Sequence, residues 1–181
     1  MLSSAGLKID VVPADINEEV IKKTYDGLLA EDLAHVLARE KAASVSTIAE
    51  DALVIGADQI LECGDRLYDK PVGDDGVRAH LISLRGQTHR LISSACVIKT
   101  GEMLWHKTEI AKLTMRNFDD SYMEYYIQEA GREVQSSVGA YRMESMGIQL
   151  FERIEGDYFV ILGLPLLSLL DFLRKQKILI S

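Results

Sequence analysis

The chain of 181 residues has little of what builds a disulfide-linked, zinc-binding or disordered protein. It has only two cysteines, Cys63 and Cys96, and four scattered histidines, and neither set has the spacing of a metal site. Three prolines and 27% charged residues beside 48% hydrophobic ones are typical of a folded domain. Length and composition therefore predict a single domain over residues 1–181 that needs no disulfide or structural metal to hold its core.

Two further absences narrow the class of function. No apolar run approaches the ~18 residues of a membrane span, and no basic segment followed by an apolar core opens the chain. The net charge is −8, from 28 acidic and 20 basic residues, which disfavours binding to a nucleic acid polymer or to an anionic membrane. We expect a cytoplasmic protein in which any polyanionic substrate is neutralised by local lysines or by a divalent cation.

Strand and helix patterns alternate along the chain. Strands are predicted at 11–12, 52–57, 90–98, 105–115, 148–154 and 158–162. Helices are predicted at 30–48, after the caps Asp74 and Asp119, and from Pro165 onward. The predicted fold class is therefore α/β, with a mixed, twisted sheet flanked by helices.

Charged residues stand against apolar surroundings at two places. Asp58 directly follows a predicted buried strand, and open α/β sheets bind ligands at such strand ends, although a turn residue would explain it equally well. In the helix 30–48, Glu40 and Lys41 fall on the apolar arc, where burying an unpaired charge costs several kcal/mol. Each must pair with another charge, reach solvent at the helix end, or line a polar cavity.

Three more residues are ordinary when taken singly. Lys70 precedes a proline, Glu18 lies in an acidic cluster and Glu144 in a loop-like stretch, so each is most simply a solvated surface charge. Together, the carboxylates of Glu18 and Asp58 could hold a divalent metal while Lys41 and Lys70 neutralise phosphate oxygens, a set that suits phosphoryl transfer. No Walker A loop or G-x-G-x-x-G fingerprint is present, which excludes P-loop and Rossmann nucleotide binding.

Short motifs follow one another along the whole chain in a specific order. They are Gly56-Ala57-Asp58-Gln59, Asp69-Lys70-Pro71, Leu84-Arg85-Gly86-Gln87-Thr88-His89, Gly139-Ala140-Tyr141, Phe151-Glu152-Arg153-Ile154-Glu155-Gly156-Asp157-Tyr158 and Gly163-Leu164-Pro165. Their order and spacing resemble the Maf family of nucleoside triphosphate pyrophosphatases. The resemblance implies an α/β fold related to the inosine triphosphate pyrophosphatases, a homodimer in many members, a divalent cation such as Mg²⁺ or Mn²⁺, and hydrolysis of a nucleoside triphosphate to the monophosphate and pyrophosphate.

Site residues follow from this resemblance by position. Asp58 resembles the catalytic aspartate of the family, Lys41 its helix lysine, Lys70 its loop lysine and Glu18 its early glutamate. The resemblance implies that Asp58 binds the metal or acts as general base, that Glu18 completes the metal site, and that the two lysines stabilise developing negative charge.

Base specificity is expected from Gln59 and Glu144, which resemble the subgroup that prefers 7-methyl-GTP over pyrimidine nucleotides. Three departures accompany this resemblance: Ser136-Ser137 stands where many members have Asp-Lys, Glu144 stands where many have Gln, and the sequence begins after the Ser-rich, Arg-containing loop that grips the triphosphate. We therefore expect the first strand of the sheet and this loop to be missing. The alternative function is a catalytically impaired nucleotide-binding or cell-division regulatory protein of the same fold.

Overall fold

A computed structural model describes residues 1–49 and 51–180. Its helices are α1 (Glu18–Thr24), α2 (Ala30–Ser46), α3 (Gly73–Leu84), α4 (Asp120–Ala130), α5 (Tyr158–Ile161) and α6 (Leu166–Lys175). Its strands are β1 (Val54–Cys63), β2 (Arg66–Tyr68), β3 (Thr88–Lys99), β4 (Glu102–Met115) and β5 (Phe151–Glu155). Short 3₁₀ turns lie at Ser3–Ala5, Gly131–Ser136 and Met146–Leu150. None of the helices in the described part of the chain has the length and apolar character that a membrane span requires.

The five strands form one sheet in the order β2-β1-β3-β4-β5, and the outer pairs β1–β2 and β4–β5 are antiparallel. β3 and β4 are neighbours joined only by Thr100-Gly101, so they form an antiparallel hairpin. Between β1 and β3, Gln59 contacts Ser93 and Cys63 contacts Thr88, which sets these two strands antiparallel as well. The predicted α/β class with a helix-flanked sheet is confirmed, and the strand pairing inside it is antiparallel.

Two compact units divide the chain. The first comprises Met1–Gln59, Ile92–Glu109 and Asp157–Ser181, and the second Ile60–Leu91 and Ile110–Gly156. In the first unit, the apolar face of α6 packs against Ala95 and Val97 of β3. The ring of Trp105 stacks on Phe172 of this helix with 5.6 Å between the ring centroids.

A second cluster of the first unit joins α2 to β1. Ala42 and Val45 of the helix pack against Val54 of the strand, together with Cys96 and Ile98 of β3. The predicted helix 30–48 is thus confirmed, with its end at Ser46.

The second unit has a core built around a buried histidine. His89 is 1% exposed, and its Nε2 lies 2.7 Å from the hydroxyl of Tyr141. The ring of Phe151 packs against the rings of both His89 and Tyr141. The hydroxyl of Tyr126 donates to the carbonyl of Ala140 at 3.1 Å, which ties α4 to the segment that carries Tyr141.

The predictions for individual helix caps and strands are confirmed in some places and wrong in others. Asp119 caps α4 as predicted, with its carboxylate accepting from the amide of Tyr122 at 2.8 Å. The structure differs from the predicted caps and strands in these respects: α3 begins at Gly73, before Asp74; residues 11–12 form no strand; the strand predicted at 148–154 begins only at Phe151, after a 3₁₀ turn; and residues 158–161 form α5. The last difference arises because the Asp157 carboxylate accepts from the amides of the first helical turn.

Candidate active site

Asp58 lies inside β1 as the fifth residue of a ten-residue strand, and not at its carboxyl end as the sequence predicted. Successive residues of a strand face opposite sides, so Val54, Gly56 and Asp58 share the face that packs on α2. The Asp58 side chain is 9% exposed, and its Oδ1 lies 2.6 Å from Lys41 Nζ. The sheet therefore presents a largely buried carboxylate to the helix.

Gly56 makes this approach possible. A Cβ atom at this position would lie 2.3 Å from the carbonyl oxygen of Ala38 and 2.7 Å from the Cβ of Ala42, closer than real side chains come. Only glycine lets α2 lie this close to β1. The close contact is one turn of helix from Lys41 and two strand residues from Asp58, so it sets the distance between them.

Glu18 completes a cluster of three charges within the first unit. It is the first residue of α1, which begins where the side chain of Asn17 accepts from the amide of Val20 at 3.1 Å. Glu18 Oε1 lies 2.8 Å from Lys41 Nζ, so the ammonium bridges the carboxylates of Glu18 and Asp58. The charge of Lys41 on an apolar helix face is thereby satisfied.

Burial and pairing act in opposite directions on both members of the Lys41–Asp58 pair. Burial lowers the pKa of Lys41, but the hydrogen bonds and charges of Asp58 and Glu18 outweigh it and hold this pKa above its usual value. Burial raises the pKa of Asp58, against the opposing effect of Lys41. The site thus holds a fixed cation beside a carboxylate whose affinity for a proton is increased.

The two carboxylates are suited to a divalent cation that they share with other ligands. Their oxygens converge on one cation, the Lys41 ammonium, and carboxylate oxygens are the ligands that Mg²⁺ and Mn²⁺ prefer. Within residues 1–49 and 51–180, no group of three or more His, Cys, Asp and Glu side chains is placed to hold a metal. Any Mg²⁺ held by Glu18 and Asp58 would need further ligands such as substrate phosphate oxygens, because this ion is commonly bound by one or two carboxylates together with phosphates.

Gln59 faces away from Asp58 and bonds within the first unit. Its Nε2 lies 3.0 Å from Ser93 Oγ and donates to the carbonyls of Val160 and Ile161 at 3.0 and 3.1 Å. Ser93 Oγ also donates to the Val160 carbonyl. The side-chain amide of Gln59 therefore tethers the end of α5, and its contribution to base specificity stays a prediction.

Lys70 and Glu144 belong to the second unit, whereas the clustered residues belong to the first. Lys70 is exposed between β2 and α3. Glu144 Oε1 accepts from Arg142 Nε at 3.0 Å, and Arg142 also pairs with Glu133. Burial acts to raise the pKa of Glu144, but its own backbone amide and Arg142 outweigh it and hold the pKa below its usual value. Glu144 is thus ionised at neutral pH.

Three charged neighbours of these residues were not predicted from the sequence. The Glu40 charge on the apolar arc of α2 is satisfied by its neighbour Arg39, whose Nη2 lies 2.7 Å from Glu40 Oε1. The positive charge of Lys22 also lowers the pKa of Asp58. Lys22 follows Glu18 by four residues, a helical spacing that could have indicated that this lysine lies near the site. Arg142 is the ion-pair partner of Glu144, and its position only two residues earlier in the sequence could have suggested the pair.

An α/β chain in which two carboxylates and a lysine converge has the groups that enzymes of phosphoryl transfer use. The description of the family that matches residues 1–176 is "Maf-like protein". The chain belongs to this family.

Several relatives match the chain over nearly its whole length. The nucleoside triphosphate pyrophosphatase of Paramagnetospirillum magneticum is 47% identical over 178 residues, which cover 97% of this chain and 92% of the relative. The 7-methyl-GTP pyrophosphatase of Mesorhizobium japonicum is 46% identical over 176 residues, or 96% of this chain and 88% of the relative. A protein of the same name from Brucella abortus biovar 1 is 42% identical over 179 residues, or 98% and 90%.

Proposed function

We propose that this chain hydrolyses a nucleoside triphosphate to the nucleoside monophosphate and pyrophosphate, as the names of its Maf-family relatives indicate for them. The observation that carries the proposal is the cluster in which Lys41 Nζ lies 2.6 Å from Asp58 and 2.8 Å from Glu18. A largely buried carboxylate beside a fixed cation provides both a proton acceptor and a stabiliser of negative charge.

Asp58 would either bind the divalent cation or act as general base; as the base, it would accept a proton from water while the water oxygen attacks the α-phosphorus. The bond from this phosphorus to the bridging oxygen breaks, and pyrophosphate leaves with the electron pair. Burial raises the pKa of Asp58, which makes the carboxylate a better proton acceptor than an exposed aspartate. Lys41 would stabilise the negative charge that develops on the phosphate oxygens.

A divalent cation held by Glu18 and Asp58 would neutralise and orient the triphosphate. The net charge of −8 favours such a cation, because the chain as a whole repels a polyanion. Lys70 is proposed as a second phosphate-binding lysine on the strength of its sequence motif alone.

The activity is tested by identifying the products from a panel of nucleoside triphosphates with Mg²⁺ or Mn²⁺. We expect pyrophosphate and the monophosphate, with turnover lost when a chelator is in excess. Release of orthophosphate in place of pyrophosphate would refute the proposed reaction. Tight nucleotide binding without any turnover would instead support the catalytically impaired binding protein.

A preference for 7-methyl-GTP is the finer part of the proposal and rests on Glu144. Because its pKa is held low, this carboxylate only accepts hydrogen bonds at neutral pH. Guanine offers N1–H and its exocyclic amine side by side, whereas uracil and thymine place a carbonyl oxygen on each side of a single N–H. Methylation at N7 adds positive charge to the guanine ring, which strengthens a hydrogen bond to a carboxylate.

Glu144→Gln tests this preference, because the amide both donates and accepts. We expect the ratio of kcat/KM for 7-methyl-GTP to that for UTP to fall by about tenfold or more. Glu155→Gln is the matched control, since Glu155 also pairs with an arginine two residues before it, Arg153, at 2.7 Å. A ratio unchanged in Glu144→Gln, or changed equally in both variants, removes Glu144 from base recognition.

A further inference from the structure

The Lys41 ammonium occupies the point at which the two carboxylates converge. Its Nζ lies 2.6 Å from Asp58 Oδ1 and 2.8 Å from Glu18 Oε1, distances typical of charge-assisted hydrogen bonds. The Lys41 side chain is 26% exposed and that of Asp58 9%, so solvent screens their attraction only in part. These are the same two carboxylates that are proposed to hold the metal.

We infer that Lys41 is the resident cation of the free protein, and that it competes with Mg²⁺ or Mn²⁺ for the carboxylates of Glu18 and Asp58. The inference rests on the proposed function in taking these two residues as the metal-binding pair. It adds that the free protein binds a divalent ion weakly, and that the metal is taken up together with the triphosphate.

Charge balance supports this competition. Two carboxylates and one ammonium leave the cluster with one net negative charge, and the positive charge of Lys22 also acts on Asp58. A divalent ion at the same carboxylates would stand close to the Lys41 ammonium, and like charges at short range repel strongly where water is scarce. Lys41 can release the carboxylates of Glu18 and Asp58 without losing its ion-pair interactions only if other anionic oxygens replace them.

A triphosphate supplies such oxygens. Its phosphates can accept from the Lys41 ammonium while the carboxylates of Glu18 and Asp58 turn to the divalent ion. One lysine would therefore hold the carboxylates together before substrate arrives and contact the phosphates afterwards. A substrate that arrives already complexed with Mg²⁺ fits this exchange, because it brings both replacement partners at once.

The test is direct binding of Mn²⁺ to the full chain without nucleotide, measured from the electron paramagnetic resonance signal of the free ion. We expect Lys41→Met and Lys41→Gln to bind Mn²⁺ about tenfold more tightly than the wild type, because each leaves the carboxylates without the ammonium. Lys41→Arg, which retains the cation, is expected to bind as weakly as the wild type.

Lys23→Met is the matched control for net charge. Lys23 is an exposed lysine of α1, and its loss changes the charge of the chain as much as loss of Lys41 does. We expect this variant to bind Mn²⁺ like the wild type. Adding Asp58→Asn to Lys41→Met should abolish the gain, which places the bound ion at Asp58.

A wild type that binds Mn²⁺ as tightly as Lys41→Met and Lys41→Gln do overturns the inference. An equal gain in Mn²⁺ affinity in Lys23→Met, or a gain in Lys41→Met that survives Asp58→Asn, overturns it as well. Circular dichroism melting of each variant establishes that the protein measured is folded. Failure of the proposed function has a different signature, because a wild type that releases no pyrophosphate can still show the Mn²⁺ pattern described above.

Discussion

Replacing Asp58 by asparagine removes one negative charge and almost no volume. The Asp58 side chain is 9% exposed, and its carboxylate holds Lys41 Nζ at 2.6 Å. Asparagine can still offer Lys41 a carbonyl oxygen, but it can neither balance the ammonium nor accept a proton from water. Asp58→Asn therefore separates the charge of the site from its packing.

The cost in stability follows from the partners that remain. Removing one member of a fully buried ion pair costs about 3–5 kcal/mol, because the other charge is left uncompensated. Lys41 is a quarter exposed and keeps Glu18 at 2.8 Å, so the loss should be smaller. We expect the free energy of unfolding to fall by about 1–3 kcal/mol, which for a chain of this length lowers Tm by roughly 3–8 °C. Loss of a general base should lower kcat by about 10²–10⁴-fold.

Pyrophosphate release at saturating Mg²⁺ and thermal unfolding measure the two effects. Asp171→Asn is the matched control, because Asp171 pairs with Lys175 at 2.7 Å on the exposed surface of α6. Its loss should change stability by less than about 1 kcal/mol and leave kcat unchanged. The reasoning is refuted if Asp58→Asn keeps half of the wild-type turnover, or if both variants lose the same stability.

Other consequences of the structure can be tested on single variants. Gly56→Ala places a Cβ 2.3 Å from the carbonyl oxygen of Ala38, so α2 must shift; we expect a loss of about 1–3 kcal/mol in urea unfolding and a lower kcat. Ala42→Gly should not rescue it, because the closest clash is with backbone, and a full rescue would contradict this explanation. Burial lowers the pKa of His89 from 6.5 to about 4, so the unfolded state binds more protons between these values and stability is lost as the pH falls through this window. We expect about 2 kcal/mol of acid destabilisation between pH 7 and pH 5 that is absent in His89→Gln, and equal pH slopes would exclude this assignment. Gln59→Glu replaces a donor by an acceptor facing two carbonyls, so it should be less stable than Gln59→Met at pH 7, with a gap that narrows at pH 4; a constant gap would argue against the tether.

The position of Asp58 shows where prediction from the sequence ends. An apolar run leading into a carboxylate indicated both the strand and the residue. The end of β1 was missed because the apolar run stops at Asp58, whereas the strand continues through Gln59 to Cys63. Its last residues pair with β2, from Leu61 opposite Tyr68 to Cys63 opposite Arg66, across the two-residue turn Gly64-Asp65, a dipeptide typical of a β-hairpin.

The segment Tyr158–Ile161 was predicted as a strand from its aromatic and β-branched residues, yet it forms α5. The Asp157 cap accounts for its first turn, and this signal was visible in the sequence. The other end was not, because the amide of Gln59, about a hundred positions earlier, binds the carbonyls of Val160 and Ile161. A single helical turn has too little stability of its own, so a distant contact decided its conformation.

Glu40 and Lys41 show why only part of the candidate site could be predicted from the sequence. Helical periodicity placed both charges on the apolar face of α2 and required that each be satisfied, but it did not say by what. Glu40 found a partner in the adjacent residue Arg39, which makes it a local feature. Lys41 is paired across the structure with Asp58, on a strand that can come so close only because Gly56 carries no Cβ. The glycine and the ion pair therefore depend on each other, and a sequence in which position 56 carried a side chain would need a different residue to reach Asp58 from α2.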